Sequence, residues 1–426
     1  MDSNSKFEYV DGVINLSLIS FKDYKIEEIG EVYSGGTPKT SINEYWEGEI
    51  GWITPKDLSN YDNIFISHGE RNITQKGLDN SSAKLVPKNT VLMTSRAPIG
   101  YLAIAENELS TNQGFKSLYC DEDICYYKYF YYWLKLNIGY IINNSNGSTF
   151  KEISGSTFKN LTISLPSLEY QKKISSILWN IDEKIENLKK INHNLEEFIK
   201  SIFKYYFVDF IPFIKDLENG IPKDWESLNL GDVVSEANTG ADAIKKAPIV
   251  NFDTGIKCVR VGDMTNSRRV DEWAFSEVSE ENYKKYQLKK DDIIVTRTAT
   301  LGLNLLITED LEAVYNNGLI RIKLDKNKVF PLFIYYYLNT SDYVHYIDSI
   351  EGESSTRPNM KINYLLKFPI LCPPMKIQED FINIVESLFN LKEKLFNQTV
   401  ELTKLRDTLL PKLMSGEIDV SKVNCD

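Results

Sequence analysis

The chain has 426 residues, which is enough for two domains of ordinary size. Hydrophobic residues make up 42% and charged residues 26%, a balance typical of a folded globular protein rather than a disordered one. Lys and Arg total 49 against 60 Asp and Glu, so the net charge of −11 argues against a polybasic protein that coats nucleic acid through charge alone.

The cysteines and the N-terminus favour an intracellular protein. None of the five cysteines forms a C-x-x-C pair, which argues against a disulfide scaffold or a four-cysteine zinc site. The first residues lack the basic start and apolar core of a signal peptide. No window of about 18 residues is continuously apolar, so we predict no membrane span and a cytoplasmic location.

The clearest internal repeat is helical. The stretch that begins at Leu165 returns 207 residues later without a gap, so that Pro166 falls on Pro373 and Gln171 on Gln378. Apolar residues recur every seven positions in both copies, which predicts two long coiled-coil helices. The a positions of the heptads are Ile174, Ile181, Leu188, Leu195 and Ile202 in the first copy and Phe381, Leu388, Leu395, Leu402 and Leu409 in the second.

The d positions complete the predicted seam between the helices. They are Ile177, Lys184, Ile191, Phe198 and Tyr205, then Ile384, Leu391, Gln398, Leu405 and Lys412. Further apolar residues lie beside this seam, so each helix is expected to pack on something else as well. We predict that three of these flanking residues bind a partner protein: Leu178, Ile185 and Ile199.

The regions before the two helices repeat more loosely. VPKNTVLMTSRAPIG (86–100) resembles LKKDDIIVTRTATLG (288–302). Short β-rich runs bounded by turn residues predict strands, and runs such as FYYWLKL predict short amphipathic helices. We therefore predict two related α/β domains, each followed by a long helix. The expected boundaries are 1–168 for the first domain, 169–206 for the central helix, 207–372 for a linker with the second domain, 373–419 for the C-terminal helix and 420–426 for a tail.

Catalytic motifs are absent from the sequence. It contains no phosphate loop, dinucleotide fingerprint, zinc-protease or deaminase motif, and no nucleophile elbow. The run Asp182-Glu183-Lys184 fits a solvated helix face better than a nuclease cluster. We predict a chain without catalytic residues or a metal site.

Candidate binding residues lie in loops and at strand ends. Gly35, Gly36, Thr37 and Lys39 form a small, polar, basic loop that suits a phosphate, although an ordinary surface turn explains it equally well. The other candidates are polar or basic residues at corresponding places in the two halves: Lys56, Arg96, Asn112, Gln113, Ser148, Lys245, Arg260, Arg297, Asn316, Asn317 and Arg357.

The arginines and amides in this set have the chemistry of base readout. Arg96 and Arg297 each follow an apolar strand, and an arginine held there can donate to guanine O6 and N7. A structural salt bridge is the alternative for each. The two are out of register, because Arg96 lies four residues before Gly100 and Arg297 five before Gly302. Amides pair with adenine N6 and N7, whereas an Asn-Gly sequence is also common in tight turns.

Five segments together resemble the specificity subunits of type I restriction-modification systems, from about residue 26 to residue 418. They are SGGTPKT (34–40), YWEGEIGWITPKDL (45–58), STNQGF (110–115), SLPSLEYQKKI (164–174) and LTKLRDTLLPKLMSGEI (402–418). The second half departs from the pattern, since SEANTGADAIKKA (235–247) stands where the first half has SGGTPKT.

The resemblance implies a mixed α/β fold with two pseudo-repeated target recognition domains, separated by two long antiparallel helices with pseudo-twofold symmetry. Each domain would read one part of a split double-stranded DNA site. Two methyltransferase subunits would bind the helices and methylate adenine with S-adenosylmethionine. Motor and nuclease subunits that use ATP and Mg²⁺ would join in a cleaving complex, and the chain itself would hold no cofactor. A specificity subunit of a methylation-only system is the alternative.

Overall fold

A computed structural model describes residues 19–59, 61, 63–147, 151–352 and 359–423. It divides into two compact units. Unit 1 comprises Met1–Ile191 and Leu395–Asp426, and unit 2 comprises Asn192–Lys394. Each unit therefore contains one α/β domain and one half of each long helix.

Unit 1 contains eleven described strands and three short helices, followed by the long helix α4. The strands are β1 (Lys22–Lys25), β2 (Gly30–Ser34), β3 (Trp46–Ile53), β4 (Phe65–Ile66), β5 (Arg71–Ile73), β6 (Leu85–Val86), β7 (Val91–Ser95), β8 (Ile99–Ala105), β9 (Leu109–Thr111), β10 (Phe115–Cys120) and β11 (Thr162–Leu165). The helices are α1 (Gln75–Asp79), α2 (Tyr127–Asn143), α3 (Gly155–Lys159) and α4 (Leu168–Phe207).

Unit 2 follows a similar order of elements after a β-hairpin in the linker, with β16 and α5 added and no described counterparts of β4 and β6. Its described strands are β12 (Leu217–Glu218), β13 (Ile221–Pro222), β14 (Glu226–Asn229), β15 (Val234–Thr239), β16 (Ile249–Val250), β17 (Lys257–Val259), β18 (Ala274–Ser276), β19 (Ile293–Thr296), β20 (Asn304–Leu306), β21 (Ala313–Tyr315), β22 (Leu319–Leu324) and β23 (Pro369–Cys372). Its helices are α5 (Val261–Thr265), α6 (Glu280–Tyr286), α7 (Pro331–Tyr337), α8 (Ser341–Gly352), α9 (Ile362–Leu366) and α10 (Met375–Met414).

The sheets of the two units share one topology. The larger sheet of unit 1 has the strand order β2-β10-β7-β8-β4, and unit 2 repeats the first four as β15-β22-β19-β20. A second sheet contains the parallel pair β3 and β9 in unit 1, and the parallel pair β17 and β21 in unit 2. A separate two-stranded ladder closes each domain, β1 with β11 and β14 with β23. The loose sequence repeat therefore corresponds to a repeated fold.

The two long helices match each other in length and position. Each has 40 residues, and both bounds of α10 lie 207 residues after those of α4. Both begin just after the repeated prolines, and α10 continues past Pro411 for three more residues. Within each unit the two helix halves run antiparallel. In unit 1, for example, Tyr170 bonds Asp419 while the later residue Asp182 bonds the earlier residue Arg406.

The face that each helix buries differs from the predicted a/d seam. The three flanking residues predicted to bind a partner are buried: Leu178 is 0% exposed, Ile185 5% and Ile199 0%. Leu178 packs into the core of unit 1 with Phe130 and Leu413, and Ile199 packs into the core of unit 2. The d positions other than Ile177 are exposed. The flank is buried because the α/β domain of each unit covers that side of the helix.

A buried glutamine fixes the start of each long helix to its domain. The Gln171 side chain donates to the carbonyls of Ile124 and Pro166, both at 3.0 Å, and accepts from the Tyr126 amide at 2.9 Å. Gln378 makes the same set of contacts in unit 2, accepting from the amide of Phe330. A buried amide is stable only when its polar atoms are bonded. The repeated glutamines are therefore structural clamps.

Asp182 lies inside the helix pair of unit 1 rather than on a solvated face. It is 4% exposed and accepts hydrogen bonds from Arg406 and from the Tyr132 hydroxyl, both at 2.7 Å. Its neighbours Glu183 and Lys184 are exposed, as predicted. Hydrogen bonds from a cation and a hydroxyl compensate the loss of hydration of this carboxylate.

We predict that Arg406→Met lowers the free energy of unfolding by about 3 kcal/mol, because Asp182 would keep its burial and lose its cation. Lys412→Met is the matched control, since Lys412 pairs with Glu417 at the surface of the same helix and such pairs contribute less than about 1 kcal/mol. Urea unfolding followed by tryptophan fluorescence measures both. Equal effects of the two changes would contradict a structural role for the buried pair.

Candidate nucleic-acid interface

Four loops of unit 1 are joined by their main chains at one end of its two larger sheets. The loops follow β2, β3, β7 and β9. Three hydrogen bonds join them, each from an amide to a carbonyl: Gly36 to Thr111 (2.9 Å), Asn112 to Ile53 (2.9 Å) and Ser95 to Gly114 (2.7 Å). Candidate residues that are distant in the sequence thus form one loop cluster.

Unit 2 repeats this frame bond for bond. The equivalent hydrogen bonds run from Ala241 to Tyr315 (2.8 Å), Asn316 to Val259 (3.1 Å) and Arg297 to Gly318 (2.9 Å). These hydrogen bonds show which residues of the two domains are structurally equivalent, which the sequence repeat only approximates. Ala241 is equivalent to Gly36, and Arg297 is equivalent to Ser95. The backbone of the two clusters is the same, and the side chains on it differ.

Close backbone approach explains one glycine in each cluster. A Cβ atom on Gly35 would lie 2.1 Å from the Asn112 carbonyl oxygen, and one on Gly240 would lie 2.2 Å from that of Tyr315. Contacts this short cannot form, so each position requires glycine for the loop to reach its neighbour. Close packing of the main chain therefore explains these glycines without any role in binding.

The first asparagine of each turn holds the turn itself. The Asn112 side-chain oxygen accepts from the Gly114 amide at 2.8 Å, and that of Asn316 accepts from Gly318 at 3.1 Å. This is the tight turn that the Asn-Gly sequences allow. Gln113 and Asn317 occupy the exposed tips, and the Gln113 side chain also bonds the Thr37 hydroxyl. The tip residues are better placed than the turn asparagines to meet a ligand.

The two strand-end arginines are not equivalent, as their register predicts. Arg96 pairs with Glu152 at 3.6 Å and lines a cavity of about 540 Å³ with Lys151 and Ile142. Arg297 instead donates to two main-chain carbonyls, from Nε to Met360 at 3.0 Å and from Nη1 to Asn317 at 3.1 Å. Burial lowers the pKa of Arg297 below its ordinary value. The salt bridge proposed as an alternative therefore exists for Arg96, while Arg297 is held by neutral groups.

Lys56 and Arg260 have carboxylate partners of their own. The exposed Lys56 pairs with Glu70 at 2.7 Å, and this bond raises the pKa of the lysine. Arg260 bonds the fully buried Asp263, and that hydrogen bond raises the pKa of Arg260. Arg260 therefore supports its loop, and a DNA contact from it would have to share the guanidinium with Asp263.

The remaining candidates divide into exposed and undescribed residues. Lys39 and Lys245 are exposed on the loops that follow β2 and β15. Ser148 and Arg357 lie outside the described residues.

Two carboxylates that organise the loops, the half-buried Asp57 and the buried Asp263, were not predicted. Asp57 accepts from the Thr54 amide at 2.7 Å, and Asp263 accepts from the Arg260 amide at 2.9 Å. A recognisable signal was available, because each carboxylate lies three residues after the amide from which it accepts, the spacing of a capping interaction. Lys116, beside Ser34 in the sheet, was also missed; burial lowers its pKa, and it donates to the Phe115 carbonyl at 3.1 Å.

The described part of the chain shows neither a metal-ligand cluster nor a membrane-spanning helix. No three His, Cys, Asp or Glu side chains group there in a way that could hold a metal ion. None of its helices is both long and apolar enough to cross a bilayer. The four cysteines within it are buried and free.

Comparison with known proteins assigns the family. A profile for the type I restriction modification DNA specificity domain matches twice, over residues 19–197 and 222–402. The chain belongs to this family. It is a type I restriction enzyme specificity subunit with two tandem DNA specificity domains.

Individual relatives agree with the assignment. The chain is 37% identical over 419 residues to the type I restriction enzyme MjaIX specificity subunit of Methanocaldococcus jannaschii, covering 94% of both chains. It is 23% identical to the EcoBI specificity subunit of Escherichia coli, covering 72% of this chain and 69% of that one. The fold matches a type I S subunit from M. genitalium with a TM-score of 0.61 at 18% identity, over 94% of this chain and 98% of that one. The predicted fold class is confirmed.

We predict that Gly35→Ala destabilises the chain by about 1–3 kcal/mol, because the new methyl group would force the β2 loop away from the Asn112 turn. The control is Gly139→Ala in α2, where nothing lies within 4 Å of the added Cβ. Alanine at that helical position should be neutral or stabilising by up to about 1 kcal/mol. Urea unfolding followed by tryptophan fluorescence measures both, and Trp52 is one of the reporters, since its indole donates to the Gly36 carbonyl at 2.9 Å. A stable Gly35→Ala chain would contradict the close approach.

Proposed function

We propose that each domain reads one part of a bipartite double-stranded DNA target through its own loop cluster. The observation that carries this proposal is the repeated main-chain frame with different side chains on it. Gly36 corresponds to Ala241, and Ser95 corresponds to Arg297. Two readers on one scaffold suit a target with two unlike halves, because phosphate contacts position a protein while base contacts specify the sequence.

We further propose that the chain has no catalytic activity and directs partner subunits. S-adenosylmethionine would belong to two methyltransferase subunits that modify adenine, and ATP with Mg²⁺ to a motor and nuclease subunit. The relatives are named as subunits of restriction enzymes, which favours this complex over a methylation-only system. A DNA target also implies a cytoplasmic location in a prokaryotic cell.

The d face of the long helices is the surface we propose for the methyltransferase subunits. Apolar d residues are between 42% and 56% exposed, although the flank of the same helices is buried. They are Ile191, Phe198, Tyr205, Ile384, Leu391 and Leu405. Exposed apolar residues in a row along a helix suit a protein interface. This surface replaces Leu178, Ile185 and Ile199, whose burial leaves them unavailable.

The proposed reading mechanism predicts separable effects on the two half-sites. We expect Gly35→Ala to relax selectivity in one half of the target and Gly240→Ala to relax it in the other. The measurement is selection of bound sequences from a pool of randomised duplexes, using the chain assembled with its methyltransferase. Loss of selectivity in the same half for both variants would contradict separate reading. A wild-type complex that selects no sequence would contradict the proposed function itself.

The docking surface predicts a second, independent result. Phe198→Asp should reduce co-purification of the methyltransferase subunit by at least tenfold, since a carboxylate would have to be buried unpaired in the interface. Thermal stability of the isolated chain should change little, because Phe198 is 56% exposed. Ile249→Asp is the control, an apolar residue 37% exposed on β16 rather than on a long helix. Unchanged co-purification of Phe198→Asp would exclude this surface.

A further inference from the structure

We infer that Arg297 reads a guanine in the half-site of the second domain. This assignment rests on the proposed function and names the base and the residue. Arg297 follows β19, all four residues of which are buried. Its own main chain is fixed on both sides, since its amide donates to the Gly318 carbonyl at 2.9 Å and its carbonyl accepts from the Met360 amide at 2.8 Å. The Cα–Cβ bond of Arg297 is therefore held in one orientation.

The guanidinium is oriented as well as anchored. Nε donates to the Met360 carbonyl and Nη1 to that of Asn317. Guanidinium carries five N–H donors, so three remain, including both on Nη2. Within the described residues no carboxylate lies within salt-bridge distance of Arg297. Its guanidinium is thus held by neutral carbonyls, and its remaining N–H groups can donate to two acceptors side by side. Guanine O6 and N7 form such a pair of acceptors.

The surroundings favour a base edge over a phosphate. Thr298, Asn316 and Asn317 lie on the same frame as Arg297, and all three side chains are neutral. A Cβ atom built on Gly318 would lie 3.0 Å from Thr298 Oγ1 and 3.3 Å from Asn316 Oδ1, next to a Val261 methyl group, so these two polar groups lie on either side of one glycine. Amides and hydroxyls beside one arginine are the groups that read base edges in the major groove. Among Arg297, Thr298, Asn316 and Asn317 only Arg297 is charged, whereas a phosphate is bound mainly through positive charge.

The first domain provides an internal comparison. Ser95 occupies the position of Arg297, with the same bonds to Gly114 and to Ile153. It is fully buried, and its hydroxyl has no hydrogen-bond partner in the described part of the chain. Arg96, the nearest arginine, corresponds to Thr298 and pairs with Glu152 instead. The two domains therefore differ at this strand-end position, where the first has Ser95 and the second has Arg297. This difference predicts that only the half-site of the second domain has this guanine contact.

Arg297→Ala tests the assignment in the chain assembled with its methyltransferase. A pool of randomised duplexes first defines the two half-sites of the wild-type complex. Competition with single-base variants should then show that Arg297→Ala loses preference for guanine at one position by roughly 5- to 150-fold. Preferences at the other positions, including the whole half-site of the first domain, should be retained. Lys284→Ala removes one exposed charge from α6 and should leave every preference unchanged.

Arg297→Gln separates a reading role from a folding role. Glutamine keeps a polar group at the strand end but pairs with adenine rather than guanine. The guanine preference should therefore be lost, with adenine gaining at that position. Uniform weakening on all sequences with a shallower salt dependence would assign Arg297 to a phosphate and overturn the inference. An unchanged guanine preference in either variant would also overturn it. Failure of the wild-type complex to select any sequence would instead remove the proposed function, and this assignment with it.

Discussion

Burial of one flank of each long helix against its own α/β domain is the constraint that sets the rest of the arrangement. Leu178 in unit 1 and Ile199 in unit 2 lie inside the domain cores, so the rotation of each helix about its axis is fixed by the domain it follows. Gln171 and Gln378 then fix where each helix begins. With the flank turned inward, the d positions other than Ile177 have no place inside either unit and face outward.

The loop clusters are likewise fixed by contacts inside their own domain. Their geometry is specified by hydrogen bonds between main-chain groups, together with a glycine that permits close approach and a carboxylate that accepts from the amide directly after a strand. None of these depends on the residues exposed at the loop tips. In the proposed function, folding and recognition therefore use different atoms of the same loops, which would let one scaffold carry two readers in a single chain.

Much of the fold follows from the sequence, because periodicity and repetition are local signals. The 207-residue offset located both helices, and the register of Arg96 against Arg297 anticipated their different environments. The sequence did not identify which face of each long helix is buried. Heptad spacing marks every apolar row on a helix but does not say which row a distant domain will cover, so Leu178 was taken for a docking residue. The ion pair between Arg260 and Asp263 was not predicted, because it depends on the conformation of the folded loop.

The main-chain frame of the loop clusters allows the two domains to differ at one strand-end position. Ser95 and Arg297 occupy one backbone position with side chains of very different size and charge, and both domains fold. The same main-chain frame therefore accommodates either residue, each in its own surroundings, since Ser95 is fully buried and Arg297 is partly exposed. Gly35 and Gly240 are the opposite case, since any side chain there collides with a neighbouring carbonyl. The frame thus differs between the domains in the side chain at the strand end and is the same where main chains meet, so two domains of one fold can present different side chains to a ligand.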